Sequence, residues 1–265
     1  MIFASDLDRT LLYSKASAAR DCEDMIVMEM LEQQPISYMT KEALAQLQQL
    51  HSEMLFIPVT TRTVEQYERI SFLQASGIAP KYAVTSNGGN IIIDGKIDRE
   101  WKRHIAQKMQ TTCITIMDVR KKFQEISGDW ILKERTADEL FFYCVIDRSK
   151  LPQEDVETFC SWAKEQGWES SLQGRKLYFV PSAVNKYEPI AYIQTLENEP
   201  QYMAAGDSQL DYCLLAQATH AFVPAHGELA DNPHPFLETT QRGAAAAYEI
   251  LQRVRALSPM KVAFS

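Results

Sequence analysis

Apolar and polar positions follow two different periods along the first part of the chain. Residues 1–5, MIFAS, form an apolar run too short for a helix and predict a buried strand. Thr40 is placed to cap KEALAQLQQLHSE, where Ala43, Leu44, Leu47 and Leu50 recur at helical spacing. MLFIPV, residues 54–59, is an unbroken apolar run of strand length, as a parallel sheet buried on both faces requires. VEQYERISFLQASG predicts a helix stopped by Gly77, and KYAVTS, residues 81–86, a further strand. Strand, helix, strand, helix, strand argues for an α/β fold on a parallel sheet.

The alternation breaks after NGGN, residues 87–90. Asp94-Gly95 lies between short apolar runs and predicts a hairpin. One helix is expected from about residue 102 to 127, then a strand over ELFFYCVID. A helix opened by Pro152 and a hairpin of WESSLQ with RKLYFVP follow. The first pattern then resumes with helix YEPIAYIQTLE, strand QYMAAG, a helix over 209–216, strand HAFV and a last helix over 243–257. The expected architecture is a sheet core of residues 1–88 and 181–265, interrupted by an α+β cap over 89–180. Residues 13–39 are too long for a simple connection. MIVMEML and ISYM fit either a hairpin across EQQP or a short helix, and a connection of this length beside the first strand is expected to be functional.

Composition narrows the classes. The 265 residues are 46% hydrophobic with a net charge of -8, and the charges are dispersed. That balance argues against non-specific binding to nucleic acid or an anionic membrane. The five cysteines include no CxxC pair, and the five histidines form no HExxH or Cys/His cluster. No basic segment followed by a long apolar core opens the chain, and no apolar stretch nears the roughly 20 residues that span a bilayer. The expected location is cytoplasmic.

The chemistry gathers at strand ends. Asp6 and Asp8 close the first strand, and ligands of open α/β sheets bind beyond the carboxyl ends of strands. Two acids so close share either a proton or a cation. MLFIPV ends in Thr60, Thr61 and Arg62; QYMAAG ends in GDSQLD, with Asp207 and Asp211; Lys186 precedes the helix leading into that strand. Carboxylates with a hydroxyl and a lysine suit a hard cation such as Mg²⁺ together with a phosphoryl group.

Together these segments resemble the haloacid dehalogenase (HAD) superfamily of phosphohydrolases. DLDRT matches its DxDx[TV] motif, FIPVTTR its apolar strand ending in Thr or Ser at Thr60, Lys186 its lysine and GDSQLD its GDxxxD motif. A cap entered through SNGG and left through LYFVPSAVNKYE is similar to the Cof-like branch, which includes sucrose-phosphate and mannosyl-phosphoglycerate phosphatases. The resemblance implies a Rossmann-like parallel-sheet core with an inserted cap. It also implies a Mg²⁺-dependent phosphatase for a small phosphorylated metabolite, such as a sugar phosphate.

In that scheme Asp6 is the nucleophile and Asp8 the general acid and base. Asp6, Asp8 (through its backbone carbonyl) and Asp207 hold Mg²⁺, and Thr60 and Lys186 bind the phosphoryl oxygens. Asp211 orients Lys186 or the metal shell, and Arg62 and Asn87 contact substrate. Arg9, Tyr187 and Leu210 stand where many members have Gly, Gly and Asn. A phosphomutase, or a pseudoenzyme that only binds phosphate and metal, are the alternatives; the large cap counts against the first and Asp8 against the second.

Overall fold

A computed structural model describes residues 1–19, 23–70 and 76–258. β1 (Ile2–Ser5) is followed by a hairpin of β2 (Ile26–Leu31) and β3 (Gln34–Met39), then α1 (Lys41–Glu53), β4 (Leu55–Pro58), α2 (Val64–Glu68) and β5 (Tyr82–Thr85). Next come β6 (Asn90–Ile93), β7 (Lys96–Ile97), α3 (Arg99–Thr112), α4 (Ile116–Phe123), β8 (Ile131–Ala137) and β9 (Phe141–Ile146). α5 (Gln153–Glu165), β10 (Trp168–Gln173) and β11 (Lys176–Pro181) complete this middle part. The chain continues through α6 (Glu188–Glu197), β12 (Tyr202–Ala205), α7 (Tyr212–Ala216), β13 (His220–Val223), β14 (Leu237–Glu238) and α8 (Ala244–Leu257).

A five-stranded parallel sheet runs in the order β14-β13-β12-β1-β4. A parallel bridge from Val59 to Val84 brings β5 beside β4. Both faces of this sheet are buried. Phe3, Phe56 and Met203 point to one side, among Leu47 and Leu50 of α1 and Leu251 and Val254 of α8. Ile2, Ala4, Ile57 and Ala204 point to the other, with Ile190 of α6 and Leu214 of α7. Two covered faces explain why these strands are continuous apolar runs without alternation.

The second sheet is antiparallel, in the order β10-β11-β9-β8. One face packs Phe142 and Phe179 against Phe123 of α4 and Phe159 of α5, with the Phe123 and Phe179 rings 5.0 Å apart. This is the α+β cap expected between the two parts of the parallel sheet.

Four elements differ from expectation. The single helix over 102–127 is two, because the hydroxyls of Thr111 and Thr112 bond back to the Lys108 carbonyl and Thr115 caps a new helix through the Asp118 N–H. The helix over 209–216 opens as a 3₁₀ turn, Gln209–Asp211, before α7. The helix expected to run to Gly77 stops at Glu68, and residues 71–75 lie outside the described residues. The sequence pattern predicts no strand over β8, because both its faces carry charged residues. Residues 26–39 take the hairpin alternative, turning through Glu32 and Gln33 with φ of 48° and 64°. Asp94 and Gly95, at 47° and 76°, make the predicted tight turn between β6 and β7. No helix among the described residues is long and apolar enough to cross a membrane.

Candidate active site

Four segments meet at the carboxyl edge of the parallel sheet. Asp6 leaves β1 with its N–H still bonded to the Ala205 carbonyl, 2.9 Å away, so β12 fixes its position. Its carboxylate is buried; Oδ1 accepts from Lys186 Nζ at 2.7 Å and Oδ2 from the Thr10 hydroxyl at 3.1 Å. Lys186, only 1% exposed, also donates to Asp211 Oδ1 at 2.5 Å. The second Asp211 oxygen takes the N–H groups of Asp207 and Ser208 and the Ser208 hydroxyl, at 3.1, 2.9 and 2.8 Å. Asp211 therefore shapes the loop that presents Asp207 and anchors the lysine at once. This curl needs Gly206, because a Cβ there would lie 2.4 Å from Asp211 Cβ.

Crowded carboxylates in a buried pocket resist ionisation. Burial pushes the Asp6 carboxyl up to about 7, with Asp211 and Asp8 adding to the rise and Lys186 opposing it. Burial, Asp6 and Asp211 raise Asp207 well above the carboxylate range. Burial works against the Lys186 ammonium, but Asp211 and Asp6 outweigh it and raise its pKa. Oxygens of Asp6, Asp207 and Asp211 lie within 4.8 Å of one another. A hard-oxygen donor set short of positive charge fits Mg²⁺. Asp6 and Asp207 fit best, because each Asp6 oxygen accepts a single hydrogen bond and keeps a lone pair, whereas one Asp211 oxygen already takes three donors from its own loop and the other takes Lys186.

Asp8 stands outside that cluster. Arg62 donates Nε to Asp8 Oδ2 at 2.8 Å and Nη2 to Oδ1 at 2.7 Å. Burial opposes ionisation of Asp8, but its side chain is 47% exposed, and the guanidinium outweighs that opposition and holds its pKa down. Arg62 Nη1 reaches Glu29 Oε2 at 2.5 Å, and Glu29 also takes Arg69 at 3.2 Å. Sequence reasoning missed Glu29. Simple alternation along β2 gives it the same side as the exposed Val27 and Leu31, but an irregularity in the β2–β3 register around it turns it inward.

Thr60 is buried beyond β4, its N–H on the Val84 carbonyl at 2.9 Å. Its hydroxyl accepts from the Arg62 N–H at 3.1 Å, leaving its proton free to donate. Ser86, Asn87 and Gly88 have successive positive φ of 51°, 56° and 103°, and a Cβ on Gly88 would lie 2.0 Å from the Asn185 carbonyl oxygen. This close approach draws Asn87 against the Lys186 segment. Asn87 Nδ2 donates to Val184 O at 3.1 Å, while its buried Oδ1 has no hydrogen-bond partner among the described residues. The cap leans on the same edge. Asp138 accepts from the Ser86 hydroxyl, Asn90 Nδ2 and Val64 N–H, and Gln173 donates to Ser208 Oγ at 3.0 Å.

The three departures from the motifs have structural settings. Arg9 has φ of 66°, a conformation that explains glycine at this position elsewhere. Its Nε lies 3.1 Å from Asp207 Oδ2 and its Nη2 donates to the His226 carbonyl at 2.7 Å. His226 answers: Gly243 N–H donates to Nδ1, so Nε2 carries the proton and donates to the Arg9 carbonyl at 2.9 Å. Tyr187 has φ of −82° just before α6, so no glycine is needed there, and Leu210 packs against the apolar core.

The sequence profile of the family described as Sucrose-6F-phosphate phosphohydrolase matches residues 1–230. No curated protein sequence shows a significant match. Among solved structures, the fold is similar to the sucrose-phosphatase of Synechocystis sp. PCC6803, determined with sucrose and phosphate. The TM-score is 0.68 at 15% identity, covering 97% of this chain and 99% of that one. It is also similar to a Thermoplasma acidophilum protein (TM-score 0.62, 12% identity, 96% and 97% covered). A haloacid dehalogenase-like hydrolase protein from Bacillus subtilis gives 0.56 at 14% identity, with 97% and 92% covered.

Proposed function

The chain belongs to the Sucrose-6F-phosphate phosphohydrolase family of HAD-type enzymes, and from that premise we propose a Mg²⁺-dependent phosphatase acting on a sugar phosphate through an aspartyl-phosphate. Membership makes it a phosphoric monoester hydrolase; the metal, the substrate class and the residue roles are the proposal. The observation that carries it is Lys186, buried and bridging Asp6 to Asp211 at the end of the central strand. Residues 1–88 and 181–265 would form the catalytic core and 89–180 the cap.

Asp6 attacks phosphorus, the bond to the leaving oxygen breaks, and Asp8 gives that oxygen its proton. Asp8 then takes a proton from water as the water displaces Asp6, restoring both carboxyls. The phosphoryl group adds negative charge beside Asp8, which favours the protonated form that the first step needs. Lys186 and Thr60 face the phosphoryl oxygens, and the unpartnered Asn87 Oδ1 is available to a substrate hydroxyl. Asp6 and Asp207, with the Asp8 carbonyl, would hold Mg²⁺, which when bound supplies the positive charge that keeps these carboxylates ionised.

The test is hydrolysis of a panel of sugar phosphates with and without Mg²⁺, beside Asp6→Asn and Asp8→Asn. Turnover should require the metal, vanish in Asp6→Asn and fall by about 10²–10⁴ in Asp8→Asn. Full activity in Asp6→Asn rules the mechanism out.

A further inference from the structure

The cap sheet turns two rows of side chains away from its aromatic core. Across β8, β9, β11 and β10, one row is Arg135, Tyr143, Tyr178 and Ser171, and the next on the same face is Lys133, Val145, Lys176 and Gln173. This is the face that meets the catalytic edge. Gln173 bonds Ser208 beside Asp207, and Thr61 lies against the Tyr178 hydroxyl. Lys176 sits over the Tyr143 ring, 5.8 Å from its centre, within electrostatic reach of Asp8. Asp138, at the end of β8, pins the sheet to Ser86 and Val64.

The charges on this face do not balance. Every basic residue of the floor has a carboxylate partner: Arg9 has Asp207, Arg62 has Asp8 and Glu29, Arg69 has Glu29, and Lys186 has Asp6 and Asp211. Lys133, Arg135 and Lys176 have none within 4.0 Å among the described residues. The one acid of the sheet on this face is Glu169, exposed toward the other end of β10 opposite Val180. Asp8, whose charge acts on Lys176, is already held at both oxygens by Arg62. A leaving group receiving its proton from Asp8 lies between that acid and this roof.

We infer that the cap sheet binds a second anionic group on the leaving side of the substrate, through Lys176 and Arg135 with Lys133 at the edge. The inference rests on the phosphatase reading and sharpens it: the substrate is a sugar phosphate bearing a carboxylate or a second phosphate. Tyr143 and Tyr178 supply an apolar wall with polar tips for the sugar between the two anions.

The experiment compares glucose 6-phosphate, 6-phosphogluconate and glucose 1,6-bisphosphate with wild type, Lys176→Gln and Arg135→Gln, all with Mg²⁺. One anionic substrate should exceed glucose 6-phosphate in kcat/KM by about tenfold or more, the gain of one hydrogen bond to a charged group. Whichever does so distinguishes carboxylate from phosphate. Each variant should shrink that ratio, as should added salt. Equal kcat/KM for the three substrates, or a preference that survives both variants, overturns the inference and leaves the phosphatase reading standing. If none of the three is hydrolysed, the phosphatase reading fails separately, and calorimetric binding to Asp6→Asn decides the inference. Tighter binding of an anionic compound, weakened by Lys176→Gln, upholds it; equal binding of all three overturns it.

Discussion

Arg62 grips Asp8 with two nitrogens, Nε and Nη2, at 2.8 and 2.7 Å, so both carboxylate oxygens are occupied before any substrate arrives. A proposed proton donor is thus stored in its ionised form. Arg62→Gln removes the charge that outweighs burial and lets the Asp8 pKa rise. The alkaline limb of the kcat–pH profile should then move upward by about 1–3 units. A limb that stays in place assigns it to another group.

Asp6 and Asp207 give the metal-free protein the opposite pH dependence. Burial raises the folded pKa of Asp6 from 3.8 to about 7, so its contribution favours folding below 3.8 and is lost as pH climbs through 7. Asp207 acts in the same direction. The melting temperature of chelator-treated protein should fall between pH 5 and pH 8, and Mg²⁺ should reduce that fall. Scanning fluorimetry across the interval, with and without the ion, checks both. Identical slopes would separate these carboxyls from metal binding.

Glu29 neutralises Arg62 and Arg69 while itself only 1% exposed in its side chain. Glu29→Ala takes a carboxylate from two guanidinium groups, leaving Arg62 on Asp8 and Arg69 on the exposed Glu65. The expected cost is about 1–3 kcal/mol in urea unfolding, the range for losing hydrogen bonds to charged groups while the partners keep other acceptors. Glu29→Gln, which retains a polar acceptor for Arg62, should cost less.

Arg9 places a cation 3.1 Å from the Asp207 oxygen and adopts a backbone conformation that glycine enters freely. Arg9→Gly removes a positive charge that competes with a divalent ion for Asp207. Mg²⁺ affinity measured by titration calorimetry should rise by about tenfold, or 1.4 kcal/mol. Unchanged affinity means the side chain swings clear at no cost.

The motifs locate Asp6, Thr60, Lys186 and Asp211 because each sits at a strand end or just before a helix, where pattern and spacing place it. What escaped notice depends on tertiary context. Glu29 looks like an ordinary outward residue until a register irregularity turns it. The resemblance implies a substrate contact for Arg62, and the structure places three of its nitrogens on Asp8 and Glu29. β8 mixes Ile, Leu, Lys, Glu and Arg without clean alternation, because Lys133 and Arg135 lie on one face and Glu134 on the other. The break between α3 and α4 is written in Thr111, Thr112 and Thr115, but hydroxyl bonds to the backbone compete with helix only weakly, and the apolar spacing ran on through them.

Because Ile2 pairs with Tyr202 and Ala4 with Ala204, the central strand must wait for a neighbour two hundred positions later. At about 5–20 residues per second, some 10–40 s of synthesis separate the two. The antiparallel strands β8 to β11, all within residues 131–181, have partners nearby and are free to pair long before that. On the ribosome the lid is thus assembled ahead of the vessel. Until β12 emerges, β1 has only one of its two native neighbours, and Asp6 is without the Ala205 carbonyl that fixes it.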